Sequence, residues 1–148
     1  MHTYENAEIT VSEINTDVIS VAFQYFGLHD LSEDETKRMH IVNEDGIEYL
    51  RESNKKFDLI INDAFTGKKE QRRDEESIQI IHDALNEKGI YIVNVPTALS
   101  GPFAKKGNAF RKLLQNHFKH TVLLATQEEK QPFEKQNVLM ISSDSELL

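Results

Sequence analysis

Apolar and polar positions follow two rhythms along this chain. Short runs rich in β-branched residues alternate with longer stretches in which apolar residues return every three or four positions. Residues 9–14, Ile-Thr-Val-Ser-Glu-Ile, predict a strand. Asn15 or Thr16 then offers a capping side chain for a helix whose Val18, Ile19, Ala22, Phe23 and Phe26 share one face, and Gly27 supplies its stop. The two rhythms repeat with a strand over 40–45 and a short helix from Gly46 that turns Ile47 and Leu50 inward. Residues 57–63 have an unbroken apolar centre, which suits a strand buried on both faces in the middle of a sheet.

Residues 66–73 carry Lys68, Lys69, Arg72 and Arg73 and predict an exposed loop, either plain solvated surface or a mobile cover over a site. A helix with Ile78, Ile81 and Leu85 inward follows. Residues 89–96 read as a strand that Pro96 ends, because proline cannot donate to a ladder. A loop with Gly101, Pro102 and Gly107 leads to a helix presenting Phe110, Leu113, Leu114 and His117 on one side. Strands near 121–126 and 137–142, separated by a polar segment with Pro132, predict an antiparallel hairpin. Six strands and four helices in alternation, without repeats or low-complexity tracts, predict a single α/β domain over residues 1–148. Its sheet is expected to be mostly parallel with a C-terminal antiparallel hairpin.

Composition narrows the function classes. A chain of 148 residues with 39% apolar content can bury a core. Its 17 basic and 25 acidic residues give a net charge of −8, which disfavours nucleic acid and anionic membranes as partners. The absence of cysteine excludes a disulfide framework and thiolate metal sites. No apolar run approaches membrane-spanning length, and the first eight residues lack the basic start and apolar stretch of a secretory signal, so a cytoplasmic location is expected.

Three carboxylates stand at the carboxyl ends of successive predicted strands: Glu13, Asp45 and Asp63. Ligands of open α/β sheets bind outside those strand ends, so the three are expected to face one cleft. Any one of them taken alone reads better as a cap for the following helix, and it is the three at equivalent places that point to a site. His117 and His120 have a spacing that could hold a metal, but His117 continues the apolar face of Phe110 and Leu113 and reads as a packed histidine. Glu33, Asp34 and Glu35 form an acidic turn without calcium-loop spacing. No metal site is predicted, and Tyr25, Met39, Tyr91 and Phe118 read as core or boundary residues.

The blocks Val11-Ser12-Glu13-Ile14-Asn15-Thr16-Asp17-Val18-Ile19, Asn43-Glu44-Asp45-Gly46-Ile47-Glu48-Tyr49-Leu50 and Phe57-Asp58-Leu59-Ile60-Ile61-Asn62-Asp63-Ala64-Phe65 together resemble the spermidine synthases and their methyltransferase-like relatives. The resemblance implies a Rossmann-like S-adenosylmethionine methyltransferase fold. It implies that Glu13, with Ile14 beside it, binds the ribose diol of an adenosyl nucleoside, and that Asp45 accepts from the adenine amine while Gly46 lets the backbone approach the base. The nucleoside would be S-adenosylmethionine, its decarboxylated form or methylthioadenosine. Asp63, the implied catalytic residue, would also face the sulfonium end, where an amine attacks a neighbouring carbon and a neutral thioether leaves. Members of the family place a further strand and a glycine-rich turn before the position where this chain begins. With that first strand missing from the centre of the sheet, open edges and a homodimer are expected. Thr66 stands where the synthases carry a second aspartate, as in synthase-like relatives. The expected function is methyl or aminopropyl transfer to an amine or other acceptor. The alternative is a non-catalytic remnant or subunit that needs another chain to complete its site. A nicotinamide-dependent dehydrogenase would need the glycine turn too and leaves Asp45 and Asp63 without a role.

Overall fold

A computed structural model describes residues 6–28, 38–64, 73–127 and 129–147. The chain divides into two compact units, residues 1–53 and 54–148. The proposed cover over 66–73, Arg73 excepted, the Thr66 position and the acidic turn at 33–35 lie outside the described residues.

The first unit holds β1 (Ile9–Ser12), α1 (Thr16–Tyr25), β2 (Met39–Val42) and α2 (Gly46–Glu52). The two strands pair in parallel, with Ile9 opposite Met39 and Ser12 opposite Val42. Asn15 caps α1, its side chain accepting from the Asp17 N–H at 2.9 Å. The apolar face expected of α1 is only partly formed. Ile19, Ala22 and Phe23 are half-buried, whereas Val18 and Phe26 are exposed. Phe26 is the C-cap, at φ −117° and ψ 17°, so its side chain has left the helical progression that the pattern assumed. Gly27 follows at φ 66°, the left-handed conformation glycine adopts without strain. β2 stops at Val42 rather than at residue 45, because Asp45 is already the N-cap of α2.

The second unit comprises β3 (Phe57–Asn62), α3 (Glu75–Ala84), β4 (Leu85–Thr97), a 3-10 turn (Pro102–Ala104), α4 (Lys105–His117), β5 (His120–Ala125) and β6 (Gln136–Ser143). Its sheet runs β3-β4-β6-β5. β3 and β4 are parallel, and β6 lies antiparallel to both β4 and β5. The expected hairpin is present, and its second strand enters the sheet beside β4.

One face of this sheet makes the core. Tyr91, Val93 and Val95 of β4 and Val138 and Met140 of β6 are buried with Ile78 and Ile81 of α3 and Phe110 and Leu114 of α4. The helices are held at their ends as well. Asp74 and Ser77 form a reciprocal capping pair at the start of α3. His117, at the end of α4, is packed as expected and meets Glu75 of α3 at 2.8 Å through Nε2. Gly107 permits the close approach of α4 to β4, because a Cβ there would collide with the Thr97 side chain. The opposite face is apolar and less covered. Ile61, Ile92, Ile141 and Val122 fall in one row across the four strands, with Ile61 and Val122 exposed at its ends.

Three expectations are corrected here. β3 is not buried on both faces in mid-sheet. Among the described residues it has a neighbour on one edge only, and Leu59 and Ile61 are exposed. Leu85 belongs to β4 and not to the helix before it, since Ala84 ends α3 and the backbone turns extended at Leu85. Pro96 does not end β4, which continues to Thr97 with Pro96 opposite Asn137. Among the described residues β3 pairs with β4 only as far as Val93, so beyond it this edge of β4 makes no ladder bonds that a residue lacking an N–H would forfeit.

The two faces respond differently to truncation. Leu114→Ala, which empties a fully buried site, is expected to cost about 2–5 kcal/mol in urea unfolding, and Leu124→Ala, on the exposed end of β5, less than about 1 kcal/mol.

Candidate functional site

The carboxyl ends of β1 and β2 bring Glu13 and Asp45 to the same end of the first unit. The Glu13 N–H donates to the Val42 carbonyl at 3.0 Å, extending the strand pairing by one bond. Its carboxylate Oε1 accepts from the Asn15 N–H at 2.7 Å, and its carbonyl accepts from Asn43 Nδ2 at 2.8 Å. The turn between β1 and α1 thereby fixes Glu13 while using one carboxylate oxygen. Asp45 does what the capping alternative anticipated. Its Oδ1 accepts from the N–H groups of Ile47 at 2.9 Å and Glu48 at 3.3 Å. Gly46 is exposed as the first residue of α2, and Ile14 projects to the surface, 64% exposed. Ser12 Oγ donates to the Glu44 carbonyl at 2.6 Å and ties the two strand ends together.

Asp63 belongs to the second unit, one residue beyond β3, and it is exposed rather than buried. The expected burial assumed an interior strand, and β3 is an edge among the described residues. Asp63 Oδ1 accepts from Asn94 Nδ2 of β4 at 2.9 Å. That bond fixes the amide orientation, since only its nitrogen can donate to a carboxylate. Among the described residues the amide oxygen of Asn94 is left buried without a hydrogen-bond partner. The Asn94 backbone carbonyl accepts from Arg73 Nη2 at 3.2 Å, and the Arg73 guanidinium stacks over the Phe110 ring at 5.2 Å. On the opposite, helix-covered face of the sheet Asn62 Nδ2 donates to the Tyr91 hydroxyl at 3.2 Å. Burial pushes the Tyr91 phenol up to about 12, against the opposing pull of the Asn62 bond and the Arg73 charge. Tyr91 is the core residue the pattern indicated, with its hydroxyl tied to Asn62 on the core face. Asn94 and Arg73 were missed as site residues; their only signal was a single amide inside an apolar run and the last cation of a charged loop.

A second polar cluster lies at the other end of the strands, where His82, Leu85, Asn86, Phe118, Lys119 and Asp144 line a pocket of about 200 Å³. His82 Nε2 meets Asp144 Oδ2 at 3.0 Å, and the Lys119 N–H donates to Asp144 Oδ1 at 3.0 Å. This pocket surrounds the amino-terminal end of β4, opposite the strand ends where such sheets bind ligands.

Residues 2–102 match the spermine/spermidine synthase domain family. The chain belongs to this family. Two curated relatives are the polyamine aminopropyltransferases of Pectobacterium atrosepticum and Pyrococcus abyssi. The first is 31% identical over 87 residues, which is 57% of this chain and 30% of the relative. The second is 32% identical over 95 residues, 60% and 34% respectively. The chain thus spans about a third of the length of the curated relatives it matches. Among solved structures, a probable spermidine synthase from Corynebacterium glutamicum superposes with a TM-score of 0.80 at 18% identity, covering 99% of this chain and 51% of that one. A spermidine synthase in complex with the transition-state analogue AdoDATO gives 0.72 at 23%, covering 93% and 47%. Human methyltransferase-like protein 13 in complex with SAH gives 0.68 at 17%, covering 92% and 60%. These likenesses establish the Rossmann-like methyltransferase fold for this spermidine synthase-like chain.

Asp144 gives a pH test of the pocket end. Burial alone would raise its carboxyl, but the bonds from Lys119 and His82 and their charges hold it below its ordinary 3.8. A lowered carboxyl contributes stability above 3.8 that is lost as the pH falls through the folded-state value. The stability gap between wild type and Asp144→Asn in urea unfolding is therefore expected to be widest near neutral pH and to close in acid. A gap that widens below pH 3.8 would contradict it.

Proposed function

We propose that this chain binds an adenosyl nucleoside and takes part in aminopropyl transfer to an amine, with decarboxylated S-adenosylmethionine as the donor. When bound, the donor supplies a sulfonium-activated carbon. The observation that carries the reading is the pairing of Asp63 with Asn94. An exposed carboxylate, anchored through one oxygen, sits beside an amide oxygen that lacks a donor among the described residues. Two adjacent acceptors suit an ammonium or amine, which brings several N–H groups.

The nucleoside end draws on the first unit. One oxygen of Glu13 is fixed by Asn15, which leaves Oε2 to accept from a ribose hydroxyl. Asp45 caps α2 through Oδ1, and its Oδ2 remains for the adenine amine, with Gly46 presenting no side chain to the base. Ile14 lends an exposed apolar surface at this end.

Asp63 acts at the amine. An aliphatic amine is almost wholly protonated near neutral pH, so a carboxylate attracts it and then accepts or relays a proton as nitrogen attacks. The nitrogen–carbon bond forms as the carbon–sulfur bond breaks, and the electron pair leaves on sulfur as a neutral thioether. Asn94 keeps the carboxylate aligned with its Nδ2. The family match supports aminopropyl over methyl transfer. The same reading takes the protein as a cytoplasmic homodimer; no helix among the described residues is long and apolar enough to cross a membrane.

Calorimetry with decarboxylated S-adenosylmethionine and with methylthioadenosine tests the nucleoside half. Glu13→Ala is expected to weaken both by about one to two decades, the loss of a charge-assisted hydrogen bond. Equal affinity would remove the ribose role.

Asp63→Asn is expected to lower aminopropyl transfer to a diamine by roughly 100-fold or more, with nucleoside affinity nearly unchanged. Unchanged turnover would refute the role. Nucleoside binding without any transfer by the wild type would favour the non-catalytic alternative.

A further inference from the structure

Asp63 stands just beyond the last pairing of β3 with β4, Asn62 opposite Val93, where the ladder no longer fixes the backbone. Two residues of β4 reach this point from opposite faces. Asn94 holds the carboxylate directly, through the 2.9 Å bond from its Nδ2. Tyr91, three residues earlier and therefore on the other face, accepts through its hydroxyl from Asn62 Nδ2 at 3.2 Å. The oxygen of the same Asn62 amide turns toward the loop and accepts from the Ala64 N–H at 3.4 Å. We propose that Asn62 is the positioning residue of Asp63, with the Tyr91 hydroxyl as its anchor in the core. What Asp63 does at the amine rests on the preceding reading; how it is held does not.

An asparagine whose side chain accepts from the N–H two residues on closes a turn around the residue between them, here Asp63. The Asn62 turn thus sets the backbone of Asp63, and Asn94 sets its carboxylate. The Ala64 N–H can meet only the oxygen of the Asn62 amide, which leaves the nitrogen for the Tyr91 hydroxyl, so the two bonds agree on one orientation. At 3.4 Å the turn bond is long for an N–H···O contact, and alone it would hold the amide weakly. The hydroxyl supplies the second point of attachment. Tyr91 can serve as an anchor because it does not move: it is 1% exposed, and its ring stacks on Phe118 with centroids 6.2 Å apart. One strand therefore grips Asp63 twice, through Asn94 on one face and through Tyr91 and Asn62 on the other.

Two substitutions in the full chain test this. Tyr91→Phe keeps the buried ring and removes the anchor, and Asn62→Ala removes both bonds. Each is expected to lower kcat for transfer from decarboxylated S-adenosylmethionine to a diamine roughly five- to tenfold, with methylthioadenosine affinity within about twofold of wild type. Because Tyr91 acts through Asn62, the double variant is expected to be no slower than Asn62→Ala alone, whereas independent losses of packing would multiply. A second readout needs no turnover. In solution NMR the Asn94 Nδ2 resonances report the bond to Asp63, and Asp63→Ala marks their unbonded position. Asn62→Ala and Tyr91→Phe are expected to move them toward that mark, and Leu124→Ala, on the exposed end of β5, to leave them in place. Circular dichroism verifies that each variant is folded. Unmoved resonances in Asn62→Ala, multiplied losses in the double variant, or full turnover in Asn62→Ala where Asp63→Asn has lost it each overturn the positioning role. Resonances that move in a chain whose wild type transfers nothing leave the positioning of Asp63 standing and overturn the proposed reaction instead.

Discussion

Strand β4 has to satisfy two edges and two faces at once, and the second unit is arranged around that demand. Its backbone pairs with β3 on one side and β6 on the other. Its alternate side chains Tyr91, Val93 and Val95 fill the core beneath the helices. Between them Asn94 points to the other face and reaches Asp63. The period of two that buries the first set is what delivers the amide to the carboxylate. A one-residue slip in the β4–β6 register would exchange the sets, exposing the core residues and burying the amide.

The alternation of strands and helices was legible because its cause is local. Side-chain periodicity, the Asn15 cap and the glycine after α1 all act within a few residues. The order β3-β4-β6-β5 was not, because the choice between a simple hairpin at the border and a strand entering beside β4 depends on residues far apart in sequence. β3 was misjudged for the same reason. An apolar run states that a segment can be buried and does not say what covers it. Pro96 misled in the opposite direction, since its effect depends on whether a neighbouring strand lies opposite its nitrogen.

The three carboxylates show the same division. Their positions just past strand ends were visible in the sequence, but their environments differ in ways that spacing does not encode. Asp45 is engaged by two backbone N–H groups, Glu13 by one, and Asp63 by a side-chain amide. A carboxylate committed to helix N–H groups is held rigidly by its own helix, whereas one held by a single side-chain donor keeps more of its accepting capacity for a ligand. Asn94 could have been suspected from the sequence on one ground: an amide in the middle of an otherwise apolar strand must find a partner, and its strand neighbour ends in an acid.

The placement of β6 between β4 and β5 also dictates when the second unit can form. β4 and β5 are not hydrogen-bonded to each other; each depends on a strand synthesised after both. A nascent chain that has emerged only through β5 therefore has the helices and the β3–β4 pair but not the strand that joins β4 to β5. Such an intermediate exposes apolar strand edges until the residues around 136–143 arrive. The pairings that complete this sheet are thus the last its chain order allows, and the β4–β6 ladder among them joins residues as far apart in sequence as Ile90 and Ser143.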